Sequence, residues 1–324
     1  MITWGIVGCG DVTEVKSGPA FNKVPDSQLV AVMRRNGDLA ADYARRHRVP
    51  KWYDDADALL HDPEVNAIYV ATPPDSHCDY TLRAAAVGKP VYVEKPMART
   101  YGECLEMIDA CDAAGVRLFV AYYRRCLPNF RKILSLVEDG AIGQVRLVNV
   151  SLYKSMNDAP PPPAGNNWRI VPEIAGGGHF YDLASHQLDF LDYLLGPITE
   201  ASGMAVNQSG RYLAEDAVTA YWKHASGAVG TGSWCFSVGE GSELDETEII
   251  GSEGTIRFAF FSDTPVRLET KSVVESFPIA YPAHVQQPLI ETVVNELLGR
   301  GTCPSTGVFG ARTNAVMEKI IDNR

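Results

Sequence analysis

The sequence predicts an α/β protein with a doubly wound parallel sheet in its first part and an α+β domain with a large, open, mostly antiparallel sheet in its second. Two observations support this prediction. Residues 1–120 alternate short β-branched runs with amphipathic stretches of about 10–15 residues, the pattern of βαβ units. Residues 198–277 show consecutive strand-like runs joined by short turns, which are typical of an antiparallel sheet.

The first half of the sequence supplies the parallel sheet and its helices. Predicted strands occupy residues 2–7, 28–33, 67–71, 90–93 and 117–120, and predicted helices occupy residues 38–47, 76–87 and 101–114. Because strands that alternate with helices form right-handed crossovers, we expect a Rossmann-type sheet with helices on both faces. We place this domain at residues 1–121.

The second half, residues 122–324, forms the other predicted domain. After a helix over 128–139 come strands over 144–153, 217–223, 228–236, 247–251, 255–260 and 266–269, then helices over 284–298 and 308–321. The last helix is a candidate to pack back on the first domain. Four consecutive prolines at 160–163 interrupt an irregular stretch, which suits either a polyproline spacer or a loop that covers the substrate.

The composition excludes several functional classes. With 29 Lys and Arg against 40 Asp and Glu, the 324 residues carry a net charge of −11, which argues against a nucleic-acid partner. No stretch approaches the roughly 18–20 apolar residues of a membrane span, and we expect no secretory signal. Seven dispersed cysteines, never spaced Cys-x-x-Cys, predict buried thiols in the cytoplasm rather than disulfides or a zinc site.

A glycine-rich turn follows the first predicted strand and reads Gly8-Cys9-Gly10-Asp11-Val12-Thr13. Its two glycines permit a tight turn and a close approach of backbone N–H groups to a pyrophosphate at a helix start. Thr13 replaces the third glycine of the usual fingerprint, which should loosen the packing of helix on strand. We predict that the phosphates of a dinucleotide lie over Gly8, Gly10, Asp11 and Val12.

Two arginines, Arg34 and Arg35, follow the second predicted strand. In NAD-selective sites an acidic residue at this point binds the ribose 2′-hydroxyl, whereas arginine accommodates a 2′-phosphate. A guanidinium also offers a bidentate fork to phosphate and stacks on an adenine ring. We therefore predict NADP(H) as the favoured cofactor, with NAD(H) as the alternative if the arginines are only solvated surface residues.

Three further segments carry polar residues where strands end or a helix begins. Val-Ala-Thr-Pro-Pro-Asp-Ser-His spans residues 70–77, and Glu-Lys-Pro spans residues 94–96. Trp168-Arg169 precedes a glycine run at 176–178, and Asp182, His186 and Asp189 follow it. Together these motifs resemble the glucose–fructose oxidoreductase/inositol dehydrogenase family, also called Gfo/Idh/MocA, over essentially the whole chain. The residues expected to contact the substrate, Arg125, Trp168 and Arg169, most resemble those of the 1,5-anhydrofructose reductase branch of the family.

The resemblance implies a nicotinamide-dependent oxidoreductase that acts on a carbonyl or hydroxyl of a sugar, polyol or related small molecule. It implies an enzyme without metal, and a homodimer or homotetramer built through the second domain's sheet. Lys95 and His186 would be the acid/base pair, with Asp182 in support. The cofactor would contact Thr72, Pro73, Pro74, His77, Glu94 and Lys95, and the substrate would contact Tyr123, Arg125, Trp168, Arg169 and Asp182.

The residue types support the same chemistry. Hydride transfer to a ketone leaves a developing alkoxide, which needs a cation or proton donor within hydrogen-bond reach. Partial burial after an apolar strand would lower the pKa of Lys95, and His186 exchanges protons near neutral pH. Asp182 lies four residues before His186, so both would share one helical face. Which of the two groups, Lys95 or His186, delivers the proton stays open.

Two other functions stay open as well. His179, Asp182 and His186 fall at positions i, i+3 and i+7, which suits a metal-dependent hydrolase or lyase but leaves the glycine turn unexplained. The other alternative is a catalytically silent NADP-binding regulator, although such a protein would be free to lose Lys95. Two roles are undecided: His77 either caps a helix or lies beside the cofactor, and Tyr123 either packs internally or contacts substrate.

Overall fold

A computed structural model of the protein describes residues 1–156 and 167–322. The prolines at 160–163, and with them the predicted substrate-covering loop, lie outside the described residues. The chain forms two compact units, one of Met1–Tyr123 with Pro282–Ala311, the other of Arg124–Tyr281 with Arg312–Arg324. The predicted second domain of 122–324 therefore differs from the structure, because residues 282–311 pack within the first unit.

The first unit contains a six-stranded parallel sheet in the order β3-β2-β1-β4-β5-β6. Its strands are β1 (Ile2–Val7), β2 (Ser27–Met33), β3 (Lys51–Tyr53), β4 (Ala67–Val70), β5 (Val91–Val93) and β6 (Leu118–Val120). The helices that connect them are α1 (Asp11–Val15), α2 (Gly37–His47), α3 (Ala56–Leu60), α4 (His77–Ala86) and α5 (Tyr101–Ala113).

The central strands of this sheet are apolar because both of their faces are covered. Every residue of β4 and β5 is buried, as expected for a parallel sheet with helices on either side. The strand order reverses between β1 and β4, and a doubly wound sheet binds ligands beyond the carboxyl ends of its strands at such a point. The order thus places the turns after β1, β4 and β5 along one edge of the sheet.

The second unit contains an eight-stranded sheet in the order β14-β13-β12-β11-β7-β10-β9-β8, in which only the β7–β10 pair is parallel. Its helices are α6 (Pro128–Glu138), α7 (Pro172–Ala175) and α8 (Ser185–Leu195), and a π-helical turn, Phe180–Ala184, runs directly into α8. Its strands are β7 (Val145–Tyr153), β8 (Ile198–Val206), β9 (Ala217–His224), β10 (Val229–Cys235), β11 (Leu244–Gly251), β12 (Gly254–Phe258), β13 (Val266–Thr270) and β14 (Val274–Phe277).

One face of this sheet is buried under helices and the other is open. From Val218 to the end of β9, buried and exposed residues alternate, the pattern of a strand with one covered face. On the covered face Trp234 packs edge-on against Phe180, with ring centroids 5.1 Å apart. Its indole N–H donates to Gln187 Oε1 at 2.6 Å. The π-helical turn and α8 are therefore seated on the buried face of the sheet.

Two helices close the chain, α9 (Gln287–Leu297) and α10 (Gly307–Ile321). The unit boundary after Ala311 falls inside α10, so this helix contributes to both units. No helix in residues 1–156 and 167–322 is long and apolar enough to cross a membrane. The predicted fold class, a Rossmann-type parallel sheet followed by a mostly antiparallel open sheet, is confirmed.

Candidate active site

The glycine-rich turn begins at Gly8, whose conformation only glycine adopts easily. Its φ is +92°, and a Cβ at this position would lie 2.6 Å from Thr72 Cγ2 and 2.9 Å from Thr72 N. The backbone N–H groups of Gly8 and Cys9 both donate to the Met33 carbonyl, at 2.9 and 3.1 Å. The turns after β1 and β4 therefore touch each other, and the end of β2 is tied to the same turn.

Gly10 faces open space rather than protein. A Cβ built on it would meet no heavy atom closer than the Gly8 carbonyl oxygen, 4.0 Å away. Glycine at this position leaves the backbone accessible, which is what the close approach of a pyrophosphate requires. The residues present thus fit a dinucleotide, although α1 has only five residues and contributes a smaller dipole than a full helix would.

Thr13 occupies the place of the third glycine without opening the packing. Its side chain is fully buried, and its hydroxyl donates to the Gly10 carbonyl at 2.7 Å. The carbonyl of Thr13 itself accepts a hydrogen bond from the Tyr43 hydroxyl at 2.8 Å. Thr13 is therefore accommodated in place of the third glycine by full burial and a hydrogen bond to the glycine-rich turn.

Arg34 and Arg35 both lie exposed just beyond β2. Arg34 Nη1 is 3.5 Å from the Cys9 carbonyl oxygen, which keeps this side chain beside the glycine-rich turn. Within the described parts of the chain, neither guanidinium has a carboxylate at ion-pair distance. Both arginines are thus available to an external anion, next to the turn that would hold the cofactor.

His77 is fully buried and joins two of the turns at this edge. Its Nε2 lies 2.7 Å from the Thr72 carbonyl oxygen, and its Nδ1 lies 3.1 and 3.2 Å from the carbonyl oxygens of Pro96 and Met97. Burial lowers the pKa of the imidazole, opposed by these carbonyls and by the charge of Glu94. His77 therefore neither caps α4 nor lies exposed beside a cofactor; it bridges the turn after β4 to the turn after β5.

Glu94, which the resemblance places beside the cofactor, is buried and makes several contacts within the protein. Its buried carboxylate accepts hydrogen bonds from the Tyr69 hydroxyl and from Gln286 Nε2, and its Oε2 lies 3.2 Å from the backbone N–H of Lys95. These contacts hold the turn that carries Lys95, whose peptide bond to Pro96 is cis. Lys95 itself is half-buried. The contacts of Glu94 therefore fix the backbone from which the Lys95 side chain extends.

Replacing His77 by alanine should lower kcat/KM about 10- to 100-fold, because the turn that carries Lys95 loses its tie to the turn after β4 and small misplacements in an active site are costly. We expect a larger fall in kcat than in affinity for a nicotinamide cofactor, with a partial rescue by His77→Gln, which restores one donor. Steady-state kinetics on these variants and on the exposed control His61→Ala measure both quantities. A lower unfolding temperature with unchanged kcat would show that His77 is only structural.

The second unit brings three of the predicted substrate-side residues together. Arg169 stacks on the ring of Trp168, with Cζ 4.5 Å from the ring centroid. Arg169 Nε lies 3.2 Å from Asp182 Oδ2. His186 lies further along, at the start of α8, and only 4% of its surface is exposed. Lys95 belongs to the first unit, whereas Asp182 and His186 belong to the second.

The π-helical turn changes the helical register on which the metal hypothesis depended. Hydrogen bonds in such a turn join residues five apart, so His179, Asp182 and His186 do not keep the one-face spacing of a regular α-helix. His179 instead packs against aromatic rings, with centroids 5.8 Å from Tyr212 and 5.5 Å from Phe236. In residues 1–156 and 167–322 no group of three or more His, Cys, Asp or Glu side chains is arranged to hold a metal.

Close packing explains the glycine run that precedes this turn. A Cβ on Gly177 would lie 2.2 Å from the ring of Tyr181. A larger residue would therefore displace that ring and the turn that presents Asp182.

Arg125 occupies an internal position rather than the predicted substrate site. Its side chain has no exposed surface, and its Nε lies 2.9 Å and its Nη2 2.5 Å from the two carboxylate oxygens of Asp189. Its guanidinium also lies over the ring of Tyr193, 4.8 Å from the centroid. Tyr123 is buried as well, at the end of the first unit. These placements favour structural roles for both residues.

Sequence reasoning missed the group that surrounds His186. Its ring lies edge-on to Phe261 at 6.1 Å, and Arg124 and Lys154 both lie over that phenyl ring. These residues come from four separated parts of the chain. Only the fold brings them together, and no local motif marks them.

Comparisons with known proteins agree with this geometry. Residues 2–122 match a family profile described as an oxidoreductase family with an NAD-binding Rossmann fold, and residues 130–257 match the GFO/IDH/MocA C-terminal domain. Oxidoreductase P35 of Formosa agariphila is 38% identical over 98% of this chain and 97% of its own. The 1,5-anhydro-D-fructose reductase of Ensifer adhaerens is 27% identical over 96% and 92%.

Solved structures show the same fold over nearly the whole chain. Levoglucosan dehydrogenase, in complex with NADH and levoglucosan, superposes with a TM-score of 0.87 at 21% identity, covering 99% of this chain and 96% of its own. The aldose–aldose oxidoreductase of Caulobacter crescentus, complexed with glycerol, gives 0.85 at 25% identity, covering 98% and 95%. With both halves matched in sequence and in fold, the resemblance is confirmed: the chain belongs to the Gfo/Idh/MocA family of oxidoreductases.

Proposed function

We propose that this chain is an oxidoreductase that transfers a hydride between NADP(H) and a CH–OH or C=O group of a sugar, polyol or related molecule. One observation supports it most directly. The open glycine-rich turn after β1, the Thr72–Pro74 turn after β4 and the Lys95 turn after β5 adjoin at the carboxyl edge of one parallel sheet. This is where doubly wound sheets bind dinucleotides.

The chain's own residues would have the following roles in binding and catalysis. The backbone at Gly8, Gly10, Asp11 and Val12 would hold the pyrophosphate, and the Thr72–Pro74 turn would border the nicotinamide. Nicotinamide, when bound, supplies or accepts the hydride. Lys95 would place its ammonium against the reacting oxygen and stabilise negative charge there, and His186 would exchange the proton. Asp182 would orient the substrate hydroxyls together with Arg169 and Trp168.

Names of the relatives support a sugar-like substrate. The 1,5-anhydro-D-fructose reductase of Ensifer adhaerens and the levoglucosan dehydrogenase of Pseudarthrobacter phenanthrenivorans, 28% identical over 71% of this chain, both carry sugar derivatives in their names. Oxidising a panel of polyols and aldoses with NADP, and reducing the matching ketones with NADPH, tests the proposal. An absence of hydride transfer across the whole panel, with NADPH still bound, would instead favour the silent regulator.

The preference for NADP(H) rests on the two exposed arginines after β2. We expect Arg34→Ala and Arg35→Ala each to lower kcat/KM for NADPH by about 10-fold or more, because a charge-assisted contact to the 2′-phosphate is worth about 1.5–3 kcal/mol. The value for NADH should change little, since NADH has no 2′-phosphate. Arg146→Ala, an exposed arginine on β7, is the control. A wild-type enzyme that prefers NADH would overturn this assignment.

The open face of the second unit's sheet suits a contact between copies of this chain. Leu147 and Val229 are direct neighbours across the parallel β7–β10 pair, with 46% and 41% of their surfaces exposed, and Tyr221 on β9 is 62% exposed. Exposed apolar residues grouped on one face mark an interface more often than a free surface. We propose that this face forms a homodimer or homotetramer, and that the protein works in the cytoplasm.

A further inference from the structure

Phe261 stands at the centre of a cationic cluster beside His186. Arg124 Cζ lies 4.6 Å and Lys154 Nζ 5.7 Å from the centroid of the phenyl ring, and the His186 ring lies 6.1 Å from it. All four residues belong to the second unit. In a chain of net charge −11, Arg124 and Lys154 together outweigh the Asp245 carboxylate that bonds the Phe261 backbone, which leaves a local positive region that attracts anions.

The ring is held in place rather than loosely exposed. Asp245 accepts two backbone hydrogen bonds, from Phe260 at 3.1 Å and from Phe261 at 2.6 Å. Arg124 is buried and donates from Nε and Nη2 to the Phe260 carbonyl, at 3.2 and 3.0 Å. The turn that carries Phe261 is therefore fixed from both sides, which pre-organises the cluster.

Lys154 is the cation of this cluster that a ligand could still engage. It follows β7, where its backbone N–H donates to the Cys235 carbonyl at 2.8 Å, and its side chain is half-buried. Within the described residues no carboxylate lies at ion-pair distance from Lys154. A partly desolvated ammonium without an anion is unfavourable, so an incoming anion would remove that cost.

The two arginines that the resemblance places beside the substrate, Arg125 and Arg169, already contact carboxylates of the protein. Asp189 holds Arg125 in a buried ion pair, and Asp182 lies within ion-pair distance of Arg169. Lys154 is thus better placed than either arginine to receive an anionic group next to His186.

We infer that Lys154, with Arg124 and Phe261, forms an anion-recognising end of the substrate site, and that the substrate is a sugar acid with a carboxylate. This inference rests on the proposed function. A carboxylate suits the cluster better than a phosphate. Two N–H donors of Arg124 already bond to the Phe260 carbonyl, so Lys154 is the main partner for an anion, and its one positive charge balances the single negative charge of a carboxylate. The phenyl ring would pack against the C–H groups of the sugar.

Matched pairs of neutral and acidic sugars test the inference. We expect the NADP-loaded wild type to favour glucuronate over glucose, or galacturonate over galactose, in kcat/KM. Lys154→Met should lower that acid-to-neutral ratio about 10- to 100-fold, as expected for loss of one charge-assisted hydrogen bond, and Lys154→Arg should keep most of it. Lys271→Met, which changes an exposed lysine in the turn between β13 and β14 of the same unit, should leave the ratio unchanged.

Binding measured without turnover separates this inference from the proposed function. Calorimetric titration of the NADPH-loaded protein, which has no hydride acceptor for a hydroxyl, with glucuronate, glucose and glucose 6-phosphate should show glucuronate binding tightest, with loss in Lys154→Met and weakening by added salt. Equal binding of glucose, tighter binding of the phosphate, or no binding of glucuronate would overturn the inference. Neutral sugars turned over in a Lys95-dependent way without preference for the acid would overturn it while leaving the proposed function intact.

Discussion

Replacing Lys95 by alanine should abolish hydride transfer while NADPH binding stays within a few-fold of the wild type. Positioned acid/base groups contribute about 10²- to 10⁴-fold to rate, so we expect a loss of kcat in that range. Lys95 is half-buried. Glu94 Oε2 accepts a hydrogen bond from the Lys95 backbone N–H, and His77 Nδ1 lies at hydrogen-bond distance from the carbonyl oxygen of the next residue, Pro96. The turn should therefore keep its shape when the ammonium is removed, and the loss should reflect chemistry rather than folding.

Single-turnover kinetics measure the hydride step, and the quenching of protein fluorescence on titration with NADPH measures binding. Lys16→Ala, an exposed lysine of the same unit, is the matched control and should behave as wild type. If Lys95→Ala keeps most of its activity, Lys95 does not have the proposed role. If it loses NADPH binding and activity together, Lys95 anchors the cofactor rather than the reacting oxygen.

Asp189→Ala should destabilise the protein by about 3–5 kcal/mol, because it leaves the Arg125 guanidinium buried without its counter-ion. Neither side chain of this pair is appreciably exposed. Burial raises the pKa of the Asp189 carboxyl to about 6 even though Arg125 lowers it, so the comparison is best made at a pH near 8, where the carboxylate is charged. Urea denaturation followed by circular dichroism gives the free energy of unfolding.

A surface pair in the same protein provides the control for this prediction. Asp57 and Arg83 also form an ion pair, but 59% of the Asp57 side chain is exposed, and such pairs are worth about 0–1 kcal/mol. Asp57→Ala should therefore cost far less than Asp189→Ala. The double variant Arg125→Met/Asp189→Leu should recover much of the lost stability, because an apolar replacement leaves no buried charge. Similar losses for Asp57→Ala and Asp189→Ala would contradict the argument.

The parts of the fold that the sequence predicted well are those whose burial pattern is local. The central strands of the first unit are uninterrupted apolar runs, and the predicted first strand agrees with β1 residue for residue. The missed elements are short or lie at sheet edges: β3 has three residues, α3 has five, and β8 and β14 are the two edge strands of the second sheet. Such segments carry too few buried residues to show a period.

The residues of the candidate site also fall into those that the sequence could predict and those that it could not. The need for glycine at position 8 is visible in a short motif, because the backbone conformation of the turn itself requires glycine there. The different roles of Arg124 and Arg125 are not visible in the sequence, because two adjacent arginines cannot be told apart until their partners are known. Those partners, Phe260 and Asp189, lie 136 and 64 residues further along the chain. The contact between Glu94 and its hydrogen-bond donor Gln286 is equally invisible in a local motif, because the two residues are 192 positions apart.

Gln286 belongs to a late segment of the chain that the first unit needs in order to fold. The unit that carries the glycine-rich turn is discontinuous, and residues 282–311 complete it. Gln286 donates to the buried carboxylate of Glu94 and accepts from the Tyr92 hydroxyl, and Ser305 donates to the Val120 carbonyl. Although domains generally fold in order from the N-terminus during synthesis, this one cannot be completed until residues 282–311 have been translated. A fragment ending at Tyr123 would leave the Lys95 turn without its anchor.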